Sequence, residues 1–172
     1  MYITPAQLAE SPRAQEIAQV ATPENAPIVE TVLMDAVLRG LDTSAFAPDQ
    51  VALANQALAT VAAAIADVNQ LIDGYLAKRY TLPFAAFPTL LTTWARALVR
   101  YRLHKDQIGD AATHPIARDY RDAIKFLSLV ADGTISLGAG DPTASGGTGL
   151  AQVVAPGRVF TAASLADFGG RA

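Results

Sequence analysis

The sequence predicts an all-α protein: an elongated helical bundle with one long helix, then a flexible Gly-rich linker and a C-terminal docking arm. Three observations predict it. Apolar residues recur at spacings of three and four in successive segments, which is the period of a helix face. Residues that start and stop helices flank those segments. Alanine supplies much of the 51% hydrophobic fraction, and alanine favours helices more than it fills cores.

The elements follow in order. Thr4 can cap a helix, Pro5 suits its first turn, and Gln7 stands at the capping-box spacing from Thr4. A second start is expected at Ser11-Pro12, with Ile17 and Val20 on one face. After a break at 22–27, a third helix is expected over 27–39. Its apolar face is Val29, Leu33, Val37 and Leu41, and Gly40 ends it. Pro48 and Asp49 begin the longest helix. Its seam is Val51, Ala54, Leu58, Val61, Ile65, Val68, Ile72 and Tyr75, with no fault in the spacing. A helix of about 30 residues spans roughly 45 Å, the spine of an elongated subunit. Gly74 near its end either admits another backbone or marks a bend.

Pro83 and Pro88 make 80–87 a loop. The next helix runs over 88–105 with Leu91, Trp94, Leu98 and Tyr101 inward. A further one is expected over 115–132 with Ile116, Tyr120, Ile124, Leu127 and Ala131 inward, ended by Gly133. The chain then changes character. Residues 138–149 hold glycine at 138, 140, 146, 147 and 149, a composition that cannot pack a core and reads as a tether. Residues 150–172 carry Leu150, Val153, Val154, Val159, Phe160, Leu165 and Phe168. Such a segment on a tether is expected to dock on its own body, a neighbouring copy or another protein. The organisation is thus short helices over 1–47, a helical core over 48–137, a linker over 138–149 and an arm over 150–172.

Composition excludes several classes. Without cysteine there are no disulfides or thiolate metal sites. No apolar signal region follows the first basic residue, Arg13. The longest apolar stretch, within 57–66, is interrupted at Thr60 and too short to span a bilayer, so a soluble protein with no membrane partner is expected. A net charge of −3 argues against indiscriminate nucleic-acid binding. The distribution says more: residues 1–50 carry seven acids and two bases, 73–105 six bases and one acid, and 106–132 five acids and three bases. That pattern suits salt bridges within the fold or between copies, or a basic surface facing DNA or an acidic partner.

No catalytic constellation emerges. His104 and His114 match no metal-ligand spacing and read as solvated residues near helix ends. Asp119 and Asp122 sit among Arg118, Arg121 and Lys125, the pattern of a salt-bridged helix surface. The glycine run lacks the Gly-Lys-Ser/Thr ending of a phosphate loop. No enzyme activity, cofactor or metal is expected.

The strongest local signal is Ile72-Asp73-Gly74-Tyr75-Leu76-Ala77-Lys78-Arg79-Tyr80-Thr81-Leu82-Pro83. It is followed by Leu98-Val99-Arg100-Tyr101-Arg102-Leu103-His104, by Asp132-Gly133, and by Ile135-Ser136-Leu137-Gly138. This set resembles the Mu-like prophage family of small head–tail proteins, which is similar to the head–tail connector adaptors of siphophages and myophages. The opening Met1-Tyr2-Ile3-Thr4-Pro5-Ala6-Gln7-Leu8 and the tail Arg158-Val159-Phe160-Thr161 fit the same family. Residues 48–138 carry the likeness well, and 11–47 look diverged and longer.

The resemblance implies a structural adaptor in the virion neck, made in the host cytoplasm. It would form a ring of roughly a dozen copies, contacting the portal protein and a stopper or tail-terminator protein. Genome DNA would pass through the lumen with weak contact. Arg96, Arg100, Arg102 and Lys105 are candidates to face the lumen or an acidic neighbour. Arg158, Phe160, Leu165 and Phe168 are candidates for partner docking. In the motif, Tyr75, Leu76, Leu82 and Tyr101 read as packing residues, with Tyr80 and Pro83 beside them. Asp73 is expected to pair with Arg79 or Arg100. The alternative is a small helical DNA-binding regulator reading through 88–105, which the buried Trp94, Leu98 and Tyr101 and the negative net charge disfavour.

Overall fold

The computed structural model describes residues 1–84 and 88–138, and these are helical with no strand among them. The order is α1 (Pro5–Leu8), a wide kinked turn (Ala9–Arg13), α2 (Ala14–Ala21), α3 (Thr31–Arg39), α4 (Pro48–Leu76), α5 (Thr89–His104), a tight turn (Lys105–Gln107) and α6 (Pro115–Ala131). One hydrophobic cluster runs through the six α-helices, from Tyr2 and Ile3 ahead of α1 to Leu127 and Val130 of α6. Residues 1–47 belong to that same core: α2 and α3 pack on each other and on α4.

The N-terminus is built as its residues dictate. Thr4 Oγ1 accepts the Gln7 N–H at 3.3 Å, and the Thr4 N–H donates to Gln7 Oε1 at 2.9 Å. Two of the free donors of α1 are thereby satisfied. The second helix starts later than Ser11-Pro12. Ser11 is extended, the Ser11–Pro12 peptide is cis, and helical geometry resumes at Ala14.

The third helix is shorter than expected, because 27–30 is not helical and the helix begins at Thr31. Val29 is still buried, its N–H held by Thr22 Oγ1 at 3.3 Å. Leu41 does not join the apolar face; it is 57% exposed. Gly40 takes a left-handed turn at φ 67°, and the Leu41 N–H closes back on the Ala36 carbonyl at 2.8 Å. This glycine-closed helix end swings the next side chain off the stripe.

α4 runs for 29 residues, about 43 Å at 1.5 Å per residue. Val61, Ile65, Val68, Ile72 and Leu76 are buried, with Ala54, Ala57 and Ala64 allowing close approach of neighbours. Over an 18-residue stretch α4 is long and apolar enough to cross a membrane, which the short uninterrupted run in the sequence does not suggest. Its large aliphatics instead face α2, α3, α5 and α6. Its outer face carries Asn55, Gln56, Thr60, Asp67 and Gln70 among alanines, the division of a core helix. A Cβ added at Gly74 meets nothing within 4 Å, so no backbone among the described residues requires that glycine.

α5 and α6 pack on each other and both pack on α4. α5 buries Leu91, Trp94, Ala95, Leu98 and Val99. Tyr101 is half-buried and stacks on Tyr120, with ring centroids 4.1 Å apart. α6 buries Ile116, Ala117, Ala123, Leu127 and Val130, so Val130 takes the inward place expected of Ala131.

Candidate functional site

The motif that carries the family resemblance converges in space. Leu76 and Tyr80 are buried, and Tyr75, Leu82 and Phe84 pack against the core beside them. Gly133 closes α6 at φ 81°, and the Arg79 guanidinium lies against it: a Cβ there would stand 3.0 Å from Arg79 Nη1. The Tyr80 hydroxyl accepts the Leu137 N–H at 3.1 Å. Lys78-Arg79-Tyr80 and Asp132-Gly133…Leu137 thus form one clasp, although they lie more than fifty residues apart in sequence. Pro83 follows a cis peptide bond and stands exposed.

Asp73 finds a partner that sequence spacing did not suggest. The Tyr2 hydroxyl donates to Asp73 Oδ1, and the Tyr2 N–H donates to Asn69 Oδ1 at 2.9 Å. Burial, the hydrogen bond to Asp73 and the nearby negative charge hold the Tyr2 hydroxyl well above the ordinary phenol range. The N-terminal segment is thereby sewn onto α4.

The four basic candidates are dispersed. Arg100 makes a two-point pair with Glu16 of α2, Nε to Oε1 at 2.5 Å and Nη2 to Oε2 at 2.9 Å; it therefore does not pair with Asp73. Arg102 turns to α4 and pairs with Asp67. Lys105 is exposed beyond the end of α5. Arg96 is half-buried, and its Nε is buried without a hydrogen-bond partner. Arg158, Phe160, Leu165 and Phe168 lie outside the described residues, as do residues 139–149 of the linker.

His104 is not solvated; its side chain is 12% exposed. Nδ1 lies 2.8 Å from the Arg100 carbonyl oxygen and Nε2 lies 3.2 Å from Glu16 Oε1. Both neighbours are acceptors, the Arg100 carbonyl oxygen on one side of the ring and the Glu16 carboxylate on the other. Glu16, Arg100 and His104 therefore clamp α2 to the end of α5. Nothing in the spacing announces this clamp, because its members lie 84 residues apart in the case of Glu16 and Arg100. His114 caps α6, its Nδ1 accepting the Ile116 N–H at 3.3 Å. The expected salt-bridge lacing of α6 is thin. Arg118 approaches Asp119 only to 3.9 Å, while Arg121 donates to the Ala112 and Ala117 carbonyls.

Sequence reading also missed a cleft of about 520 Å³. It lies where α5, α6 and the Ser11–Pro12 corner meet, and Trp94, Arg96, Arg100, Asp119, Asp122 and Phe126 line it. The Trp94 and Phe126 rings are nearly parallel, with centroids 5.8 Å apart. Phe126 stays 42% exposed, being one position off the buried stripe of Leu127 and Val130. Among the described residues, no three His, Asp or Glu side chains are grouped to hold a metal ion.

Residues 2–154, which include the clasp and the cleft, match the family model described as Bacteriophage Mu, Gp36. The chain belongs to the bacteriophage Mu Gp36 family. Among Gp36-like relatives, the Mu-like prophage FluMu protein gp36 of Haemophilus influenzae is 37% identical over 112 residues, covering 65% of this chain and 74% of that protein. Gene product J of Escherichia phage Mu is 35% identical over 100 residues, covering 57% of this chain and 68% of its own length. Membership in the Gp36 family makes this a bacteriophage-type protein, and it is all-α.

Proposed function

We propose that this protein is a structural adaptor of the phage neck. Copies of it form a ring between the portal protein and a stopper or tail-terminator protein, in the virion, after synthesis in the host cytoplasm. The observation that carries this reading is the match to a phage Mu family across residues 2–154.

The physics of the body supports it. A ring of identical subunits is held by a heterologous contact, one face of each copy meeting a different face of the next. α4 offers an alanine-rich outer face about 43 Å long for such a contact. Ile28, Val32, Leu41 and Leu90 are left 46–63% exposed around the body, and the acidic N-terminal segment and basic middle supply complementary charge. The arm residues Arg158, Phe160, Leu165 and Phe168 reach the next neck component. With Arg100 and Arg102 engaged by Glu16 and Asp67, DNA contact in the lumen falls to Arg96 and Lys105, few enough charges for weak, salt-sensitive binding. The role needs no cofactor and no catalysis.

A regulator reading DNA through α5 has little to work with. Five of that helix's residues are in the core, and Arg100 and Arg102 are engaged by Glu16 and Asp67. The test is electron microscopy of the purified protein mixed with its portal, together with mass spectrometry of purified virions. Rings seated on the portal and peptides in the virion are expected. A protein that stays monomeric beside the portal and is missing from virions overturns the proposal. Deleting 150–172 should weaken binding to the neighbouring neck protein; unchanged affinity would remove the arm from the reading.

A further inference from the structure

The cleft between α5 and α6 has two unmet requirements. The first is apolar: Phe126 stacks on Trp94 with one face and leaves 42% of its surface open. The second is polar. The buried Arg96 Nε has no hydrogen-bond partner, and a buried donor left without an acceptor is destabilising. An occupant that satisfies both must carry an acceptor, best a carboxylate, next to an aromatic ring. The volume of about 520 Å³ is that of a small-ligand or side-chain pocket.

The chain carries that pair itself. Asp167 directly precedes Phe168 in the arm, and Arg158 stands two residues from Phe160. The charges match the cleft in both places: Asp167 opposite Arg96, and Arg158 opposite Asp119 and Asp122, which stand exposed among the lining residues. The tether has the right reach. From Phe126 to the end of α6 at Ala131 is about 8 Å. The Leu137 N–H is then fixed on the Tyr80 hydroxyl. Thirty residues separate Gly138 from Phe168, a chain length of at most about 100 Å at full stretch, so the arm is long enough to come back to the body. A segment joined to its own site by a chain long enough to reach it binds intramolecularly, at an effective concentration of up to about the millimolar range, which favours the chain's own arm over a dilute competitor.

We propose that in the free subunit the arm folds back into this cleft, with Phe168 on Phe126 and Asp167 on Arg96. The site stores the arm in cis, covers its apolar residues before assembly and yields it when a partner offers a better seat. This holds for the isolated protein whether or not the connector role is correct.

The protein has one tryptophan and no cysteine, so the test can be clean. A nitroxide is attached to the full chain carrying Ser164→Cys, and Trp94 emission is measured across a range of protein concentrations. Loss of Trp94 emission to the same extent at every concentration is expected. Adding Phe168→Ala should lower the docked-to-free ratio about tenfold, the loss expected for unburying an aromatic side chain, and Asp167→Asn should weaken docking in the same sense. Both changes lie in the arm, so folding of the body is not at stake. Unquenched emission in the labelled chain overturns the proposal. So does quenching that grows with concentration, which places the arm on a second copy, and so does quenching that neither arm substitution relieves.

Discussion

Replacing Glu16 by glutamine should loosen α2 from the body more than an ordinary surface substitution would. The change keeps the shape of the side chain and one acceptor oxygen, but it removes the charge that Arg100 meets at both oxygens. Arg100 donates to both carboxylate oxygens, at 2.5 and 2.9 Å, and His104 Nε2 lies 3.2 Å from one of them. The Glu16 side chain is 24% exposed and His104 12%, so the clamp is neither a solvated pair nor a fully buried one. Exposed pairs contribute about 0.2–1 kcal/mol, whereas cutting a buried pair costs about 3–5 kcal/mol. An intermediate cost of about 2 kcal/mol is therefore expected. For a chain of this size that lowers Tm by about 4–8 °C. The assay is thermal and urea unfolding of Glu16→Gln, Arg100→Gln and the double variant. A coupling energy of about 1–2 kcal/mol is expected for residues in one network. Additivity within about 0.3 kcal/mol would refute the clamp as an energetic unit.

Other outcomes follow from the same structure. Gly74→Ala should raise the stability of the isolated subunit by about 1 kcal/mol, because the added methyl meets nothing and the helix gains; ring assembly of the same variant reports whether a neighbouring copy uses that spot. Gly133→Ala should destabilise by about 1–3 kcal/mol in urea unfolding, since φ is 81° there and Arg79 Nη1 stands 3.0 Å from the new carbon. Tyr2→Phe should cost about 1 kcal/mol at neutral pH and flatten the alkaline side of the stability profile. The folded state keeps the Tyr2 proton beyond the ordinary value of 10.0, so the unfolded chain releases it first. The contribution is complete below that pH and is lost as pH rises above it.

The long helix and the two that follow it were legible because their signals are local. Pro48, Pro88 and Pro115 sit at or beside helix starts, and seams such as Val61-Ile65-Val68-Ile72 have one interpretation at helical period. Leu41 was misplaced because periodicity continues past a residue whose backbone turns away, and only φ at Gly40 shows the turn. The non-helical stretch before Thr31 escaped for a related reason. Val29 keeps a helical spacing from Leu33 while reaching the core by another path. The clamp and the cleft were not legible. Arg96 and Arg100 were visible as a basic pair on one helix, but which acid from a distant helix neutralises one and leaves the other unsatisfied is decided by packing. Tyr2 and Asp73 make the same point, since each was noticed in its own segment without the contact between them.

The stitch between Tyr80 and Leu137 also decides how load travels. Tension pulling on the polypeptide beyond Gly138 meets the Tyr80 hydroxyl and the wedge of Arg79 against Gly133 before it reaches the last turn of α6. The pull is handed to the foot of the longest helix, which is gripped along its length by its neighbours, and α6 is spared from being unwound from its end.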